Sequence, residues 1–167
     1  MSGLEEARAK IRHVMLDFQV GDLKKCAQAN FLVAIGLMTS TEFLGGLITG
    51  DLGLKGAVEH RFETGFKYLG PPYEELLIKK KKTVMDIYEN IRCGLAHQYL
   101  PTNTEGIYGG KTSDPGIVEI NGRFRIIHEN YTRDLEAAVK KILDNLGIDA
   151  SLLQNVEKAL KQIPKLA

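Results

Sequence analysis

Between residues 88 and 99 the chain places Tyr88, Asn90, Arg92, Cys93, His97, Gln98 and Tyr99 on one stretch with helical periodicity. An Arg/His pair on the same helix as the lysines upstream would suit an anionic polymer approaching that helix. A guanidinium offers a fixed fork of donors to phosphate oxygens, and an imidazole near its ordinary pKa can take or give a proton at neutral pH. On an ideal α-helix Arg92 and His97, five apart, diverge by roughly 140°. One site built from both needs a local distortion, for which Gly94 gives room, or a second subunit. Cys93 and His97 lie one turn apart and could pair as thiolate and imidazole, although a free cysteine on a helix flank more often fills space.

The other routes to chemistry close early. Gly110-Lys111-Thr112 suggests a phosphate loop, but Glu105 stands where the motif needs glycine and no helix pattern follows. The glycines between Gly45 and Gly56 lack dinucleotide-binding spacing. His13, His60, His97 and His128 fall on four separate elements, and two cysteines make neither a disulfide framework nor a four-ligand zinc site, so no metal and no cofactor is expected. No Gly-x-Ser-x-Gly elbow is present.

The elements carrying these residues read as helices. Of 167 residues, 44% are hydrophobic and 26% charged, ordinary for one globular domain, taken as residues 1–167. Leu4, Ala7, Ile11, Val14 and Phe18 repeat at helical spacing behind a capping-type Ser2/Glu5, and Gly21-Asp22 is expected to break that helix. Leu23 through Met38 marks a second helix, which either ends near Thr39 or runs on through Leu47. The five glycines of Gly45 to Gly56 read as a loose connection. Val58, Phe62, Phe66 and Leu69 form a third helix, stopped by Gly70-Pro71-Pro72. The longest helix follows, from about Tyr73 to Tyr99. Thr102 to Pro115 reads as a polar loop. Asn121-Gly122 between two apolar runs predicts a β-hairpin near residues 117–127. Leu135 to Leu146 and Leu153 to Ile163 supply the last two helices. The fold expected is all-α: a bundle of about five to six helices with one inserted hairpin. The longest apolar run, Phe31 to Met38, is short of a membrane span, and Met1 to Ile11 is no signal peptide, so a cytoplasmic protein with no membrane contact is expected.

The formal net charge of +1 argues against coating by nucleic acid, but Leu76 to Tyr99 holds five basic and two acidic residues. The run Lys79-Lys80-Lys81-Lys82 is either a solvated face or an approach for an anionic polymer.

Arg, four residues, then His near the end of a long helix in an all-α bundle resembles the HEPN (higher eukaryotes and prokaryotes nucleotide-binding) family, whose signature is Arg, four to six residues, then His. The stretch Arg92-Cys93-Gly94-Leu95-Ala96-His97 and the hairpin with helices behind it look like uncharacterised prokaryotic members. The resemblance implies an up-and-down helical core and a homodimer whose motif helices meet in one composite site. It also implies a candidate metal-independent endoribonuclease. His97 would serve as general acid or base and Arg92 would hold the phosphate, with Asn90 as polar partner. Lys79, Lys80, Lys82 and Tyr99 would contact RNA. A protein antitoxin or regulator is a further partner in such a family. Cys93 stands where active members typically carry a polar residue. The alternative is accordingly a non-catalytic HEPN-like module that binds protein or nucleotide.

Overall fold

The computed structural model describes residues 3–26, 28, 30–53, 57–80, 87–94 and 104–163. Helices dominate. α1 (Gly3–Ile11) passes without a break into a π-wound segment, π1 (Arg12–Val20), and on into α2 (Gly21–Lys25). Gly21 keeps helical angles (φ −60°, ψ −45°), and its N–H reaches back five residues to the Leu16 carbonyl. The expected break at Gly21-Asp22 therefore does not occur: π winding carries the chain through, and the turn closes at Cys26, whose N–H bonds Asp22. α3 (Asn30–Thr49) is the central helix. It runs through Thr39 and Glu42 and places Val33, Leu37, Met38, Leu44 and Leu47 in the core.

α3 is also long and apolar enough to cross a membrane by length and composition. A helix apolar all round is either a core helix or a membrane span. Here it packs on α4 (Val58–Tyr68), on α6 (His128–Asn145) and on α7 (Ala150–Leu160), as a core helix does.

The reading of Gly45 to Gly56 as a loose connection fails in its first half. Gly45 and Gly46 are buried within α3, which makes its most extensive interface with α4. A Cβ on Gly45 would run into the carbonyl oxygen of Arg61, and one on Gly65 into that of Thr41. The two helices thus cross backbone to backbone, with a glycine from each at the contact. Leaving these positions without side chains outweighs the entropic cost of glycine in a helix.

Gly70-Pro71-Pro72 ends α4 and at once begins α5 (Pro71–Lys80), a use of proline in the first helical turn, where no donor is lost. The long helix expected from Tyr73 to Tyr99 is represented by α5 and by a second π-wound segment, π2 (Tyr88–Cys93). Its remainder, including Lys81, Lys82 and residues 95–100, lies outside the described residues.

The all-α expectation needs correction at one place. Besides the hairpin strands β2 (Ile117–Ile120) and β3 (Arg123–Ile127), the segment expected as a polar loop contains β1 (Thr104–Tyr108). The sheet order is β1-β3-β2. β3 runs antiparallel to β2 and parallel to β1, with Tyr108 opposite Ile127. The hairpin itself is as expected: Asn121 and Gly122 both take positive φ (50° and 80°), the requirement of a type I′ turn. β1 escapes the sequence pattern because its apolar content is confined to Ile107 and Tyr108.

Past β1, residues 112–116 are tied down. Asn130, buried on α6, accepts from the Thr112 N–H (3.2 Å) and donates to the Thr112 hydroxyl (2.7 Å) and the Asp114 carbonyl (2.8 Å). The Gly116 N–H donates to both Tyr73 Oη (3.0 Å) and Asp134 Oδ2 (3.1 Å), and the Tyr73 hydroxyl donates to the same carboxylate at 2.6 Å. Gly116 sits so close to the Tyr131 backbone that no side chain would fit.

The helix crossing generates a stability prediction. Gly45→Ala and Gly65→Ala each force the α3 and α4 backbones apart, an overpacking cost of about 3 kcal/mol. Urea unfolding should show a lowered midpoint for both. An unchanged midpoint would mean that the crossing does not need its glycines.

Candidate functional site

π2 carries the described part of the sequence-predicted site. Ile87, Tyr88 and Ile91 face the core, which leaves Arg92 half-buried at its margin. The winding is direct: the Gly94 N–H bonds the Glu89 carbonyl, five residues back. Single π turns inside helices often occur at functional positions. The Arg92 guanidinium lies 5.3 Å from the centroid of the Tyr88 ring, a cation–π contact. Its Nε is buried and finds no hydrogen-bond partner among the described residues.

Tyr88 is fixed in turn from below. Its hydroxyl donates to Glu42 Oε2 (3.1 Å), and its ring packs edge-on against Phe62 at 5.1 Å. The other oxygen of Glu42 accepts from an Arg61 terminal nitrogen at 2.8 Å, with the Arg61 side chain only 8% exposed and that of Glu42 16%. A chain of polar contacts therefore runs from Arg61 on α4 through Glu42 on α3 to Tyr88 and Arg92 on π2. Burial, then the Glu42 charge, pushes the Tyr88 hydroxyl up to about 12, and Arg92 only partly opposes this. Tyr88 is thus a neutral donor across the physiological range.

Of the predicted site residues, Arg92 is placed against Tyr88, whose hydroxyl in turn bonds Glu42, two groups outside the predicted set. Asn90 is half-buried on the same segment, two positions from Arg92, a spacing that does not share a helical face. Cys93 is a free thiol packed at the edge of the core, the position of a space-filling residue. Lys79 and Lys80 end α5, but their side chains, and all of Lys82, His97 and Tyr99, lie outside the described residues. Among the described residues no group of three His, Cys, Asp or Glu is arranged to hold a metal ion.

One signal for Glu42 was present in the chain: it is the only charged residue of α3. A lone carboxylate within an apolar helix needs a buried cation or donor. Arg61 carries no such mark, since α4 is amphipathic and contains polar residues throughout.

Compared with known protein families, with curated proteins and with solved structures, the chain matches none.

Two substitutions separate the roles of this polar chain. Glu42→Ala removes the carboxylate that the buried Arg61 guanidinium bonds and should cost about 3–5 kcal/mol, read by denaturant unfolding. Tyr88→Phe acts on the pH dependence. A hydroxyl raised from 10 to about 12 in the folded state stabilises the fold fully below pH 10, and that contribution is lost as pH rises through 12. Tyr88→Phe should therefore flatten the fall in stability between pH 10 and 12. An unchanged slope would refute the raised value.

Proposed function

We propose that the chain is an RNA-interacting protein and a metal-independent endoribonuclease of HEPN type, with Arg92 and His97 as its working pair. The observation that carries this reading is the state of Arg92. Its guanidinium is braced over Tyr88, yet its Nε–H is committed to nothing among the described residues. A cation braced against a ring holds its fork of terminal N–H groups in place for a phosphodiester, and preorganised donors stabilise developing charge without reorganisation.

On an α-helix residues five apart diverge by roughly 140°, so in this reading a second copy of the helix completes the site. The chemistry then follows from the two side chains. Neutral His97 removes the proton from a ribose 2′-hydroxyl, and the 2′-oxygen attacks the adjacent phosphorus. Arg92 donates to the non-bridging oxygens as charge builds on them. The P–O5′ bond breaks, and the 5′-oxygen takes up a proton from an imidazolium, supplied by His97 or by its counterpart in a second subunit. The products are a 2′,3′-cyclic phosphate and a 5′-hydroxyl. Lys79, Lys80 and Lys82, with Tyr99, are assigned to the approaching strand, and a homodimer through the Arg92/His97 helix would complete the site.

A second reading has its own observation. Cys93, where active members carry a polar residue, is packed at the core edge. In that reading Arg92 is a contact residue of a non-catalytic module that holds a protein partner.

Incubation of the purified protein with structured and single-stranded RNA in EDTA distinguishes the two. The endoribonuclease reading expects cyclic-phosphate ends, lost by a factor of about 100 or more in Arg92→Ala and His97→Ala. Sedimentation should show a dimer. Cleavage that survives in either variant, or no cleavage by the wild type, overturns the catalytic reading.

A further inference from the structure

A cleft of about 440 Å³ opens beside the first turn of α6, within the size range of small-molecule sites. It shares no residue with the Arg92 site. Its walls include Leu23 and Lys24 of α2, Lys111 of the β1–β2 loop, and His128, Glu129 and Arg133 of α6.

Most of the charge around it is already matched. Lys24 and Lys140 both bond Glu136, at 2.5 and 2.9 Å, and Arg133 bonds Asp134 at 2.7 Å. Lys111 is exposed and joins no ion pair among the described residues, while Glu129 is the one carboxylate there in the same condition. Counting these four cations against three carboxylates leaves one positive charge in excess.

Two further features point to an acceptor. α6 is an 18-residue helix whose first turn has no side-chain cap, because Ile127 occupies the cap position. Its amide N–H groups and the positive end of its dipole favour an anion. Beside them, His128 is only 2% exposed, and its Nε2 has no hydrogen-bond partner among the described residues. A buried polar atom left unpaired is costly unless a ligand satisfies it. The loop passes over that nitrogen at Gly109, where a Cβ would stand 3.2 Å from it.

We propose that this cleft binds a small organic monoanion, a carboxylate on an apolar body. The carboxylate sits at the first turn of α6 between Lys111 and His128, and the apolar part lies against Leu23. The single excess charge and the neighbouring Glu129 select a monoanion over a dianion. Burial holds the His128 imidazole below its ordinary value, so at neutral pH it stays uncharged and hydrogen-bonds as a neutral group.

Two-dimensional amide NMR titration of the full chain with benzoate, phenyl phosphate and benzylamine tests this. Benzoate should bind saturably, shifting Lys111, His128 and Glu129, with phenyl phosphate weaker and benzylamine silent. Lys111→Ala, at an exposed position, should weaken benzoate about tenfold. His128→Gln should weaken it as well, with thermal unfolding followed alongside. If that buried substitution fails to fold, Lys111→Ala decides alone. No saturable benzoate binding up to about 10 mM, binding unchanged in Lys111→Ala, or tighter binding of phenyl phosphate would overturn the proposal.

Discussion

The contact on which the molecule depends is the crossing of α3 and α4 at Gly45 and Gly65. Because neither residue has a side chain, the Arg61 and Thr41 carbonyls can lie against the opposite backbone. That closeness brings the Arg61 guanidinium within 2.8 Å of the Glu42 carboxylate. A wider crossing would pull this buried ion pair apart, a loss of about 3–5 kcal/mol. Backbone packing and charge burial are therefore one constraint, met by four residues on two helices.

From that pair the arrangement extends outward in a definite order. Glu42 uses one oxygen for Arg61 and the other for the Tyr88 hydroxyl, Tyr88 is wedged against Phe62, and Arg92 stacks on the Tyr88 ring. Each group is held by one nearer the core. The outermost retains a buried Nε with no partner among the described residues. A rigid inner shell supporting an under-satisfied outer cation is what a binding or catalytic cation requires.

How much of this could be read from the chain differs by element. The Asn121-Gly122 hairpin was legible because its turn chemistry is local, set by two residues that tolerate positive φ. The apolar stripes of α4, α6 and α7 were legible for the same kind of reason. Gly45 and Gly46 misled, since a glycine that marks a turn and a glycine that admits a neighbouring helix look alike without the partner. Gly21 misled too, because π winding is not announced by composition. β1 was hidden because its pairing partner lies twenty residues on, and a parallel pair is a long-range fact. At the site, Arg92 could be singled out by its residue type. Its support could not, as Glu42 and Arg61 lie 50 and 31 positions away in the chain.

The pinning of the segment before the hairpin has a kinetic side. β3 runs into α6 without an intervening residue, and Asn130, Tyr131 and Asp134 of α6 hold residues 112–116 through hydrogen bonds and close packing. Strand, turn, loop and helix between residues 104 and 134 thus form a closed circuit of mutual supports. Such a circuit opens as a unit, so the Gly116 amide, though it lies in a connection, exchanges with solvent only when the sheet and the start of α6 come apart together. Two further bonds extend the circuit to α5, where Tyr73 meets both Gly116 and Asp134.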